Sequence, residues 1–139
     1  MKFVTQLLLA LTFIAGGVAS SAFAGDADPL FINLITDNPH RATMGVYFGK
    51  EQFDRGHPLT IFLNDKGVLV GSKAKSAKFS DHQKVLAELI NKGAAVHICS
   101  MCMSAYGVKE KDILPGIKIS SPELTGAALF KDNTKSLTW

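Results

Sequence analysis

The sequence predicts an α/β protein: a three-layer α/β/α domain built on a mainly parallel sheet of about five strands. Two observations carry that expectation. Short apolar runs suited to buried strands recur at Leu30–Ile35, Leu59–Leu63 and Ala94–Ile98. Segments with helical periodicity and helix-start signals alternate with them, which implies βαβ units with helices on both faces of the sheet.

The first 24 residues stand apart. Their only charge is Lys2, Phe3–Val18 is mostly apolar, and the segment closes on Ala22-Phe23-Ala24. A positive start, an apolar middle and an Ala-x-Ala end are the marks of a secretory signal peptide, 1–24. The apolar run is short for a spanning helix, which needs about 20 residues. Gly25 rather than cysteine follows, so nothing supports a lipid anchor. The expectation is cleavage after Ala24, export to the periplasm of a bacterial source, and one mature domain, 25–139, with no membrane anchor. That length builds a core without disulfide staples.

Charge excludes one class of partner. The formal net charge is +3 over 139 residues, too little for a nucleic-acid footprint. Lys73, Lys75 and Lys78 cluster locally and read as a solvated face.

Taken in order, Leu30–Ile35 follows Pro29 as a first strand and stops at Thr36–Pro39. Asn38 is a good N-cap and Pro39 suits the first helical position, so a helix starts there. Met44, Tyr47 and Phe48 share one face of it, and Gly56 ends it. Leu59–Leu63 is the second strand, and Asn64-Asp65-Lys66-Gly67 turns into Val68-Leu69-Val70. Ser80 with Gln83 forms a capping box for the next helix. Val85, Leu86, Leu89 and Ile90 make its apolar face, and Gly93 is its exit. Ala94–Ile98 is the third strand. Residues 100–106 form a short helix closed by Gly107, and Pro115-Gly116 turns into a strand at Ile117–Ile119. Ser121-Pro122 opens a last helix with Leu124, Ala127 and Ala128 inward. Ser136–Trp139 adds a terminal strand.

In open α/β sheets, sites lie at the carboxyl ends of the strands. Both cysteines of the chain occur at such a place, in Cys99-Ser100-Met101-Cys102. Unpaired N–H groups at a helix start favour thiolate over thiol, and the thiolate is the reactive form. Cys99 is therefore the candidate nucleophile or sulfur carrier, and Cys102 its partner or resolver. The dipole argument also makes Cys99 the more acidic and more rapidly alkylated thiol.

Other readings of the same residues stand open. A structural disulfide suits an oxidising compartment, although so short a loop restricts the unfolded chain little. Two inert core cysteines are ordinary. His97, Cys99, Met101, Cys102 and Met103 are soft or borderline ligands that suit Cu(I), while Met101 and Met103 also read as core residues. His40, His57 and His82 are scattered and read as surface residues.

The run Ala94-Ala-Val-His-Ile-Cys-Ser-Met-Cys-Met-Ser-Ala-Tyr-Gly107, with Asp112–Gly116 and Ser121–Leu124, resembles the DsrE/DsrF/TusD-like sulfur-relay family. The resemblance extends less specifically over residues 29–139, through the Asn64–Val68 turn and the closing Ser136–Trp139. It implies a compact α/β/α fold with a parallel sheet, and a homo-oligomer, with trimer and hexamer both possible. It implies that the cysteine eight residues before Gly107, Cys99, carries sulfur as a persulfide between donor and acceptor proteins, with no metal or organic cofactor. Two features depart from the family pattern. The best-known relays are cytoplasmic, and they lack a second cysteine at the position of Cys102, which makes the pair a candidate dithiol redox site. The competing class is a binding or interaction module whose cysteines are structural or hold copper.

Overall fold

A computed structural model describes residues 27–139; the expected signal peptide, 1–24, lies outside them. The elements run β1 (Leu30–Leu34), α1 (Pro39–Asp54), β2 (Leu59–Leu63), α2 (Ser76–Asn91), β3 (Ala95–Ile98), α3 (Ser100–Tyr106), β4 (Lys118–Ile119), α4 (Pro122–Leu129) and β5 (Lys135–Thr138). The five strands form one sheet in the order β4-β3-β2-β1-β5, and every neighbouring pair is parallel. The expected α/β/α architecture is what the chain adopts.

Register explains the layers. Leu34, Leu63 and Ile98 lie side by side across the sheet, as do Asn33, Phe62 and His97 one residue earlier. Side chains alternate along a strand, so these two rows face opposite ways. The aliphatic row, with Ile32, Leu59, Ile61 and Val96, packs beneath α1 and α2 and makes the main core. On the other face, α4 crosses back from β4 to β5, and its Ala128 lines a groove with Thr60 and Ala95.

α1 packs through a different stripe from the one its large side chains suggest. Ala42, Gly45, Val46 and Gly49 are buried, whereas Met44, Tyr47 and Phe48 are 50%, 43% and 40% exposed. The reason is close approach. A Cβ on Gly49 would sit 2.7 Å from Ile32 Cδ1, and one on Gly45 would sit 3.3 Å from Leu34 Cδ1. Small residues bring the helix axis down onto the sheet, and the aromatic face turns outward. The indole of Trp139 covers part of it, with its centroid 5.6 Å from that of Phe48.

Asn38 caps α1 as expected, its Oδ1 accepting the Arg41 amide at 3.1 Å. The capping box at Ser80 does not form. Gln83 is buried; it donates to the carbonyls of Val70 and Ser72 at 3.2 and 2.8 Å and contacts the Ser76 hydroxyl at 2.7 Å. Loop carbonyls enclosed in the core need a donor, and Gln83 is spent on them. The helix starts earlier, at Ser76, with a kink at Phe79.

The turn after β2 continues as 3-10 helix over Asp65–Leu69, so it runs on into Val68 and Leu69. In α4, Leu124 and Ala128 are partly buried but Ala127 is exposed. His82 is no surface residue: it is 7% exposed between α1 and α2, with Nε2 3.0 Å from both the Pro39 carbonyl and the Thr43 hydroxyl.

Candidate functional site

The site is assembled at the carboxyl ends of β1, β2 and β3, as the strand-end rule requires. Cys99 follows the last residue of β3 and is the N-cap of α3, its Sγ accepting the Cys102 amide at 3.2 Å. The strand enters the helix without a linker because Cys99 keeps an extended backbone (φ −69°, ψ 116°). At the other end, Gly107 takes the left-handed conformation (φ 67°) and its amide closes the last turn. Cys99 and Cys102 are joined as a disulfide, with their Cα atoms 5.2 Å apart.

The second wall comes from the turn after β2. The Asn64 amide donates to the Leu34 carbonyl at 2.9 Å, which ties the turn to the end of β1. Gly67 lies directly over that same carbonyl: a Cβ there would sit 1.9 Å from the Leu34 oxygen. No other residue type fits this approach. The turn is thereby pressed against α3, and Asp65 adopts a positive φ of 46°. In that position the Asp65 amide donates to Cys102 Sγ at 3.3 Å, and Asn64 Oδ1 lies 3.1 Å from the same sulfur. Asn64 Nδ2 donates to Asn33 Oδ1 at 3.3 Å. Tyr106, at the end of α3, donates its hydroxyl to the Asp65 carboxylate. That hydrogen bond raises the phenol above its ordinary range, with partial burial and the Asp65 charge acting the same way.

The structure brings the two sequence-predicted sulfurs together and separates them from the other soft ligands. Met101 is 81% exposed and Met103 is 6% exposed in the core, so Met101 is no core residue and the two thioethers do not converge. Among the described residues, no group of three or more His, Cys, Asp or Glu side chains is arranged to hold a metal ion. His97 is buried beside Phe62 and Lys118 in the strand register. Its Nδ1 has no hydrogen-bond partner among the described residues, and burial, then the Lys118 charge, pushes its pKa down. Exposure also differs between the cysteines: Cys99 is 7% exposed and Cys102 is only partly buried. Access to the sulfur therefore opposes the acidity on which faster alkylation of Cys99 was expected.

Sequence reasoning placed the cysteines and missed Asn33, Asn64, Asp65 and Tyr106 as their surroundings. Asn64-Asp65-Lys66-Gly67 was legible as a turn at a strand end, which is the signal that could have found half of them.

These features define a parallel α/β/α domain with a cysteine pair at the end of a central strand. Residues 30–133 match the DsrE/DsrF-like family, and the chain belongs to that family, one generally related to sulfur relay. It is 30% identical over 95 residues to the uncharacterized protein MJ0989 of Methanocaldococcus jannaschii, covering 66% of this chain and 83% of that one. It is 27% identical over 92 residues to the uncharacterized protein MK0008 of Methanopyrus kandleri, covering 63% and 76%. Two solved structures share the fold. One is MTH1491, a protein of unknown function from Methanobacterium thermoautotrophicum (TM-score 0.66, 15% identity, 80% of this chain and 98% of that one). The other is the ychN protein of E. coli (TM-score 0.53, 13% identity, 80% and 99%).

Proposed function

We propose that this chain is an exported sulfur-handling protein that carries sulfur as a persulfide on Cys99. The observation that supports it most is the seat of Cys99: the end of a central strand, with a backbone amide directed at its sulfur. An N–H donor stabilises a thiolate and equally the anion of a persulfide. In the reduced protein the Cys99 thiolate attacks the terminal sulfur of a donor persulfide. The donor's S–S bond breaks, its thiolate leaves, and Cys99–S–SH remains. An acceptor thiolate then takes the terminal sulfur and returns Cys99 to the thiolate. Donor and acceptor are proteins or small thiols, and no metal or organic cofactor takes part.

Mass spectrometry of the reduced protein after incubation with a sulfane donor tests this. The expected result is a gain of one sulfur atom on the Cys99 peptide; no gain, with copper retained instead, would support a binding module. The signature of residues 1–24 supports export, for which the expected mature N-terminus is Gly25. The exposed face of Met44, Tyr47 and Phe48 supports a homo-oligomer, a trimer or hexamer. A sedimenting species at monomer mass at micromolar concentration would remove that part of the proposal.

A further inference from the structure

The two sulfurs of the pair are not equivalent, and the difference assigns them different parts in exchange. Cys99 Sγ receives one donor, the Cys102 amide, and its residue is almost wholly buried. Cys102 is partly exposed, and its Sγ faces both the Asp65 amide and Asn64 Oδ1. The orientation of the Asn64 amide is determined by its other partner: the Asp65 N–H, 2.9 Å away, requires an acceptor, so the oxygen and not the nitrogen lies on that side. An amide oxygen has no proton to give. Opposite a reduced Cys102 it accepts the S–H bond, and opposite a thiolate it repels the charge. Each sulfur thus receives one backbone amide, and Cys102 also faces an acceptor, which disfavours its anion.

Thiol–disulfide exchange goes fastest at the accessible sulfur and expels the more acidic thiol. Exposure names Cys102 as the sulfur attacked, and the acceptor beside it disfavours Cys102 as the leaving thiolate. Resting on the reading of the pair as a sulfur-exchange site, we infer that the oxidised protein is attacked at Cys102 by a sulfur anion, with Cys99 as the leaving thiolate. For hydrosulfide, the electron pair of HS⁻ forms a new bond to Cys102 Sγ. The Cys99–Cys102 bond breaks, and its electron pair goes to Cys99 Sγ. The products are Cys102–S–SH and the Cys99 thiolate. Sulfide sulfur is oxidised to the sulfane level and the cysteine pair takes up the two electrons. The oxidised protein thus makes a persulfide from inorganic sulfide without a preformed sulfane donor, and an acceptor thiolate that removes the terminal sulfur leaves the dithiol. The two loading routes differ in position: a sulfane donor loads reduced Cys99, and sulfide loads oxidised Cys102.

The experiment uses the full chain in two redox states. Oxidised protein is mixed with sodium hydrosulfide and quenched with iodoacetamide at successive short times, before sulfur can exchange between the two cysteines, and the added sulfur is located by fragmentation of the peptide holding both residues. The expected early product carries the extra sulfur on Cys102 and a simple alkyl group on Cys99. Early sulfur on Cys99 overturns the inference, as does an intact pair after hydrosulfide treatment when dithiothreitol opens it readily. A parallel sample is reduced and given a sulfane donor. Loading of Cys102 in the first arm with no loading of Cys99 in the second keeps this inference and removes the Cys99 carrier. The reverse pattern removes this inference alone.

Discussion

The backbone amide of Cys102 donates to the sulfur of Cys99 at 3.2 Å, while Asn64 Oδ1 stands 3.1 Å from the sulfur of Cys102. Each sulfur accepts one backbone amide, Cys102 from Asp65 at 3.3 Å, so the difference lies in the Asn64 oxygen, which disfavours the Cys102 anion.

The first prediction follows from that pair. In single-cysteine proteins, ultraviolet thiolate absorbance should show Cys99 (in Cys102→Ser) ionising at lower pH than Cys102 (in Cys99→Ser). Adding Asn64→Ala to Cys99→Ser should bring the Cys102 titration down, because the opposing oxygen is gone. Cys102→Ser should still accept sulfur on Cys99 and hold it longer, since no neighbouring thiol can attack it. Equal titrations in the two single-cysteine proteins would show that the surroundings do not discriminate.

A second prediction concerns the Tyr106–Asp65 hydrogen bond, the main cause of the raised phenol. Asp65→Asn keeps a side chain that tolerates the positive φ of 46° and removes the charge. Spectrophotometric titration should show the Tyr106 phenolate forming at lower pH in the variant than in the parent. An unchanged phenol would mean that the two side chains are not joined in solution.

Two glycines should respond in opposite directions. Gly67→Ala forces a Cβ to within 1.9 Å of the Leu34 carbonyl oxygen, and backbone must move at both ends of the contact. The expected loss is about 3 kcal/mol or more, with faster reaction of Cys102 as the turn lifts away. Gly126, inside α4, has nothing nearer than Phe130 Cδ2 at 3.9 Å. Gly126→Ala should stabilise by about 1 kcal/mol at most. Urea unfolding of both proteins checks the contrast.

His97 makes stability depend on pH. Burial, then the Lys118 charge, lowers its pKa in the folded state from 6.5. The unfolded chain therefore binds the proton first as pH falls. Its contribution is fully present above 6.5 and is lost as pH drops toward the folded value, with a slope of at most about 1.4 kcal/mol per pH unit for one proton. Chemical unfolding between mildly alkaline and mildly acidic pH should show the loss, and His97→Gln should flatten it. A variant with the parent's slope would place the effect elsewhere.

Local patterning determined most of this protein's frame. Apolar runs of strand length, Asn38-Pro39 at a helix start, and Gly93 and Gly107 at helix exits are signals that act within a few residues, and the chain follows each of them. So is the site's address: Cys99 falls where a strand ends and a helix begins, which chain order alone reveals. Tertiary structure decided what no local window holds. The Met44-Tyr47-Phe48 face is as periodic as the Ala42-Gly45-Val46-Gly49 stripe, but only the small residues allow the helix to reach Ile32 and Leu34. Gln83 matches a capping box in sequence, yet the buried carbonyls of Val70 and Ser72 claim its amide. Asn64 lies 38 residues from Cys102 along the chain and meets it only because Gly67 lets the turn settle on Leu34. Burial and partner choice are properties of packed surfaces, so the inequality of the two sulfurs exists only once β1, β2 and β3 stand side by side.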